Sequence, residues 1–214
     1  DAARPLHCMS VYAVSGLTVA IDGRRVVDGI DFALAEGECV ALVGASGSGT
    51  TTLARALAAA TGAAAYDSDD FFWLATDPPF TTRRPQAEKI AMLRAALAAQ
   101  DRWVLSGSLL SWGLEVQDQF DLVVFLYLDP EIRMARSRAR EAARYGGRIA
   151  PGGDMHDLHQ AFMTWSAGYD DGSNGGRSLA SHRAWLSTLA CPVLEIDDAP
   201  SVAESVARVV AASR

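Results

Sequence analysis

The chain has 214 residues, half of them apolar and 21% charged, with a formal charge of −7. That length suits one α/β domain with a full core, and the acidic balance argues against nonspecific nucleic-acid binding, which needs a basic face. The three cysteines, Cys8, Cys39 and Cys191, show neither metal spacing nor a disulfide framework. No apolar run reaches the roughly 18 residues of a membrane span, and the opening DAARPLHCMS lacks a basic-then-apolar leader. A reduced, cytoplasmic protein without membrane contact is expected.

In chain order, LTVAIDGRRVVDGIDFALAEGECVALVG holds two apolar runs around the turn DGRR, then the turn AEG and a buried strand CVALVG. A helix from Thr50 to Thr61 ends at Gly62, and AAAYD is a short strand leaving Asp67 at its carboxyl end. Pro78, Pro79 and Pro85 make DPPFTTRRP a loop. QAEKIAMLRAALAAQ then reads as a helix and WVLSG as a strand. LVVFLYLD is a continuous apolar run, the pattern of a strand covered on both faces. An arginine-studded helix runs from Pro130 to about Tyr145, where YGGRIAPGGD breaks it. Helical patterns around MHDLHQAFMTWSAGY and SLASHRAWLSTL flank the glycine-rich DDGSNGGRS, and PVLEID and SVAESVARVVAAS give a last strand and helix. Strands alternating with helices predict an α/β, doubly wound parallel sheet, with ligands at the carboxyl ends of its strands.

Gly44-Ala45-Ser46-Gly47-Ser48-Gly49-Thr50-Thr51 matches the phosphate-binding template G-x-x-x-x-G-K-[ST] at every fixed position except the lysine, where Thr50 stands. A strand before and a helix after it supply the context in which backbone N–H groups cradle phosphates. The nucleotide is expected on these residues and Thr52, with Arg136 nearby, and Thr51 is positioned to hold Mg²⁺. A threonine carries no charge to offset the β- and γ-phosphates, so binding is expected to be weakened rather than abolished. An arginine elsewhere would make up the charge.

In YDSDDFFW, Asp67, Asp69 and Asp70 lie just past the second strand of the sheet, where a carboxylate can hold magnesium or take a proton from an acceptor hydroxyl. Asp67 is the metal candidate beside Thr51, and Asp69 the catalytic one. These carboxylates could equally cap the next helical turn. Arg83 and Arg84 suit an anionic acceptor, and Phe71, Phe72, Trp73 and Phe80 could stack a ring. Gly107, in LSGS, could come close to that acceptor. Arg136, Arg140 and Arg144 recur every four residues and share a helix face. Followed by Gly146 and Gly147, they suggest a flexible flap over about 140–153; a solvated basic face is the plainer alternative. His156 and His159 have no evident third ligand and read as ordinary histidines.

From Val40 onward, the order of GASGSGTTTLARALA, DSDDFFWLATDPPFTTRRP, DLVVFLYLDPEIRMARSRARE, PGGDM and VLEID resembles the small P-loop kinases. That group includes nucleoside monophosphate, shikimate and gluconate kinases. It particularly resembles a bacterial adenylate-kinase-like subgroup whose loop also carries threonine. The resemblance implies ATP and Mg²⁺ at Gly44–Thr51, an acceptor near Asp67, Asp69, Arg83 and Gly107, and flap arginines at Arg140 and Arg144. The opening segment instead resembles an ATP-binding-cassette ATPase. Under that likeness LSGSL would be its signature, Asp129 its strand-end carboxylate and His159 its switch histidine. Too little chain separates Gly44 from Leu105 for a cassette helical subdomain, and LSGSLLSWG lacks the second glycine and the glutamine. The expectation is therefore an extension over 1–37 on a kinase-like domain over 38–214. It would transfer phosphate from ATP to a small anionic or hydroxylated acceptor, with a cassette-type ATPase or a non-catalytic ATP-binding module as alternatives. The oligomeric state is left open.

Overall fold

In a computed structural model of the chain, the structure describes residues 12–21, 24–34 and 38–197. The turn DGRR falls partly outside these residues, and the turn AEG and the expected last helix SVAESVARVVAAS wholly so. Strands β1 (Tyr12–Ile21) and β2 (Arg24–Leu34) pair antiparallel as a two-stranded sheet of their own.

The main sheet has five parallel strands in the order β4-β5-β3-β6-β7: β3 is Cys39–Gly44, β4 Ala64–Asp67, β5 Trp103–Ser106, β6 Leu122–Leu126 and β7 Val193–Ile196. Every residue of β3, β5 and β6 is buried, as their unbroken apolar runs require of strands covered on both faces. On one face Ala41, Val43, Leu105 and Phe125 pack with Leu93, Leu97, Trp185 and Leu186. These helical partners come from α3 (Gln86–Ala98) and α6 (Leu179–Leu186). Leu53 and Leu57 of α1 (Thr50–Thr61) are buried as well. From β3 the chain crosses to β4 on one side of the sheet, returns through β5 beside β3, and then crosses to β6 on the other side. The carboxyl end of β3 is thus the switch point where such sheets bind ligands.

Two elements escaped the sequence pattern because they are too short to show a period: α2 (Ser68–Phe72) and a 3₁₀ turn over Leu114–Gln119. The arginine helix is α4 (Pro130–Tyr145), begun by Pro130 at its first turn and by the Asp129 carboxylate, which accepts from the N–H groups of Glu131 and Ile132. Asp129 is thus a helix cap here. Gly146–Ile149 form a 3₁₀ turn leading toward α5 (His156–Ala167).

Arg133 on α4 has 1% of its surface exposed. It donates to Ser166 O and Oγ at 2.9 and 3.1 Å and pairs with Asp170 Oδ2 at 2.6 Å, fastening α5 to α4. Behind β5, His182 is fully buried between Ser108 Oγ at 3.0 Å and the Tyr169 hydroxyl at 2.6 Å. Burial, helped by Arg177, lowers its pKa to about 3. A histidine held below its ordinary value contributes stability above about pH 6.5, and that contribution drains away as the pH falls. Urea unfolding of wild type should lose on the order of 3 kcal/mol more between about pH 6.5 and pH 4 than unfolding of His182→Gln. Equal losses in both proteins would contradict the assignment.

Candidate functional site

The phosphate-binding loop starts where β3 ends, at Gly44, and closes where α1 begins, at Thr50. Gly47 has φ +90°, and a Cβ there would stand 2.6 Å from Ser137 Oγ and 2.7 Å from Arg133 O, so α4 packs directly on the loop. The N-terminus of α1 directs backbone N–H groups and positive potential toward this loop. Ser48 Oγ is buried and, among the described residues, has no hydrogen-bond partner. Thr50 is half-buried at the first turn, beside Thr51 and Thr52.

Thr51 Oγ1 donates to Asp67 Oδ2 at 2.9 Å, and Asp67 Oδ1 accepts from Asp69 N at 3.0 Å, capping α2. The capping role weighed from sequence thus falls on Asp67, the same carboxylate that accepts from Thr51. Asp69 keeps solvent-facing surface, yet cleft walls crowd its carboxyl. That loss of water, then Asp67, raises its pKa, while Arg177, Trp73 and Arg140 act in the opposite direction. Asp70 is raised too, by desolvation and by Asp67, with Arg55 opposing.

Along α4, Arg133, Ser137, Glu141 and Tyr145 form the buried stripe, so the flanking stripe Arg136, Arg140 and Arg144 borders the site. Arg140 Nη2 donates to Ser46 Oγ of the loop at 3.0 Å. Its guanidinium lies 5.8 Å from the Phe162 ring, and burial lowers its pKa against the pull of Glu141. Arg144 stands 4.8 Å over the Phe80 ring. Arg148 pairs with Asp154 at 2.6 Å and with Asp77 at 2.9 Å, so the expected flap region meets the loop before α3. Arg136 is exposed one turn before Arg140.

The two loop arginines diverge. Arg83 is exposed, 5.7 Å over the Phe72 ring. Arg84 turns inward, donating to Phe71 O, Trp73 O and Glu88, and so braces the loop. Lys89, the one lysine, is buried 3.9 Å from the Phe72 ring centre and 5.5 Å from that of Trp112. Gly107, at φ +98°, passes so close to Ser68 that no side chain fits between them. His156 Nδ1 lies 3.0 Å from Ile149 O, and His159 Nδ1 3.8 Å from Glu141.

One residue of the site had no signal in the sequence: Arg177. Asn174 pins its loop, donating to Trp165 O and Arg177 O and accepting from Gly176 N. The guanidinium is laid 5.2 Å over Trp165, within electrostatic reach of Asp69. Burial lowers its pKa, and its Nε is buried without a hydrogen-bond partner among the described residues. A lone arginine in DDGSNGGRS has neither period nor motif, and only the fold carries it to Asp69.

A glycine-rich strand-to-helix loop at the switch point of a five-stranded parallel sheet has the form of the nucleotide-binding loop of a P-loop NTPase. The family model described as "AAA domain" matches residues 40–172, and the chain belongs to that family. It is 39% identical over 169 residues to the uncharacterized protein YqaC of Bacillus subtilis (strain 168), a match covering 79% of this chain and 93% of that protein. A stretch of 54 residues is 50% identical to the aliphatic sulfonates import ATP-binding protein SsuB 2 of Paracoccus denitrificans (strain Pd 1222), over 25% of this chain and 22% of that protein. Among solved structures, a gluconokinase from Sinorhizobium meliloti 1021 aligns with a TM-score of 0.47 at 16% identity, covering 83% of this chain and 91% of that one. Shikimate kinase from Acinetobacter baumannii, in complex with shikimate, aligns at 0.48 and 15% identity, covering 83% and 94%. Among the described residues no helix is long and apolar enough to cross a membrane.

Proposed function

We propose that the chain is a cytoplasmic, magnesium- and ATP-dependent phosphotransferase acting on a small acceptor. The observation that carries this reading is convergence at Asp69. Arg140 is hydrogen-bonded to the loop at Ser46, Arg177 has no hydrogen-bond partner at its buried Nε among the described residues, and the positive charge of both opposes the rise of the Asp69 pKa at the carboxyl end of the sheet. Together they supply the positive charge that Thr50 does not. The oxygens of Thr51 and Asp67, side by side at 2.9 Å, suit a hard cation that keeps water and phosphate oxygens as its other ligands. Bound there, Mg²⁺ would neutralise phosphate charge.

In this reading Gly44 to Thr52 hold the triphosphate. The acceptor hydroxyl gives its proton to Asp69 as its oxygen bonds to the γ-phosphorus, and the bond from that phosphorus to its bridging oxygen breaks, releasing ADP. Arg140 and Arg177 offset the charge in flight, and Arg144 closes the site over Phe80. Arg83 stays free to meet the acceptor, Gly107 lines its approach, Arg84 braces the loop, and Arg136 lies at the nucleotide edge.

Calorimetric titration with ATP, with and without Mg²⁺, tests this. Micromolar, magnesium-dependent binding is expected, about tenfold tighter in Thr50→Lys, which restores one charge-assisted contact. No heat at millimolar ATP would overturn the reading. A second reading, an ATP-binding module without transfer, is favoured by Thr50 itself and predicts binding without turnover on any acceptor.

A further inference from the structure

A cleft of about 450 Å³ opens beside Asp69 on the side of the loop preceding α3. Its walls are largely flat and apolar: Trp73, Leu74, Pro79 and Phe80 line it, with the Trp73 and Phe80 rings edge to face at 6.2 Å. Phe80 is held at φ +61°, outside the usual range for a bulky residue, and keeps 37% of its surface exposed. An exposed aromatic held in an uncommon backbone conformation is a feature to explain by use. Arg144 already covers one part of this ring at 4.8 Å.

The polar groups of the cleft are unevenly committed. Arg84 lines it, but donates to Phe71 O, Trp73 O and Glu88. Thr76 Oγ1 donates to Pro78 O. What remains for a ligand is the pair of carboxylates Asp69 and Asp70, acceptors of hydrogen bonds and repellent to an anion. The cationic groups Arg140 and Arg177 belong with the phosphate loop and with Trp165, and neither lines this cleft. Asp69 thus stands between a cationic half, suited to phosphates, and an aromatic, acidic half.

We infer that this cleft seats the acceptor by a flat, uncharged or cationic heteroaromatic ring bearing hydrogen-bond donors, as a nucleoside does, packed in the corner between the Phe80 and Trp73 rings and hydrogen-bonded to Asp70. The inference rests on the phosphotransferase reading only in naming the occupant an acceptor. It narrows the acceptor classes open from sequence, because a sugar acid or hydroxylated carboxylate would meet the Asp69 and Asp70 carboxylates, while Arg84, the cation of the lining, is already bonded to Phe71 O, Trp73 O and Glu88.

Calorimetry without any phosphate donor tests it, with adenosine and cytidine against shikimate and gluconate as probes. At least one nucleoside should bind about tenfold tighter than either acid. Phe80→Leu and Asp70→Asn, both at exposed positions, should each weaken that binding about fivefold to tenfold while leaving the circular dichroism spectrum unchanged. An acid binding as tightly as the nucleosides would overturn the inference, as would binding of neither class at millimolar concentration. Nucleoside binding indifferent to both variants would lie outside the cleft and overturn it as well. Should the nucleosides bind as expected while Mg-ATP does not, the cleft assignment stands and the phosphotransferase reading falls.

Discussion

Replacing Arg133 by methionine is expected to cost about 3–5 kcal/mol of stability and to lower the unfolding midpoint by about 10 °C. Methionine keeps much of the stem volume and removes the guanidinium. The two bonds to Ser166 and the 2.6 Å pair with Asp170 are then lost together, and the ring of Tyr169, 5.4 Å from the guanidinium, loses its cation. Asp170 retains 22% exposure, so water can reclaim part of its charge, and the lower end of the range is the better expectation. The damage should spread to the phosphate loop, because the Arg133 carbonyl lies beneath Gly47. Scanning calorimetry reads the stability, and a parallel ATP titration reads the loop. A loss below about 1 kcal/mol, the range of a solvated surface pair, would mean that Arg133 does not fasten α5 to α4.

Asp69→Asn is expected to reduce phosphoryl transfer by about 10²- to 10⁴-fold, the range of a lost general base, with little change in ATP affinity. The same substitution should raise the melting temperature. Crowding and the neighbouring Asp67 push the Asp69 pKa above its ordinary value, so the ionised form is disfavoured in the folded protein. The sign follows: that cost is absent at low pH, where the group is protonated in both states, and grows as the pH rises through the folded pKa. A neutral amide escapes it. For the same reason the acid limb of the wild-type rate profile should lie above the usual carboxylate range. Single-turnover transfer and thermal unfolding, measured on one preparation, check both halves. Retained transfer would remove Asp69 from the role of base, and a lower melting temperature would contradict its raised pKa.

Much of this site could be read in the chain before it folded. The three glycines in register between an apolar strand and an alanine-rich helix identify the phosphate loop, because the backbone geometry that admits a phosphate leaves few alternatives at those positions. AAAYD, ending in a carboxylate, puts Asp67 and Asp69 at a strand end without further information. The fully apolar runs of β3 and β6 announce a sheet covered on both faces.

The arginines were not legible in the same way. A four-residue repeat shows that Arg136, Arg140 and Arg144 share a stripe, but says nothing about what that stripe faces. Arg133 looks the same in sequence and is instead the buried anchor of α5. Arg83 and Arg84 are adjacent, yet one is exposed and the other is drawn inward by the Phe71 and Trp73 carbonyls.

What the sequence determined by itself is local: the phosphate loop, the alternation of strand and helix, and the carboxylates at the end of AAAYD. Each follows from the steric and hydrogen-bonding preferences of a few consecutive residues. The tertiary structure alone decided which cations lie near the phosphate loop and Asp69. The charge of Arg177 acts on Asp69 across more than a hundred residues of chain, and Lys89, the residue type missing from the loop, is enclosed between Phe72 and Trp112. A long charged side chain has many places to go, and only the packing of the other elements leaves it one.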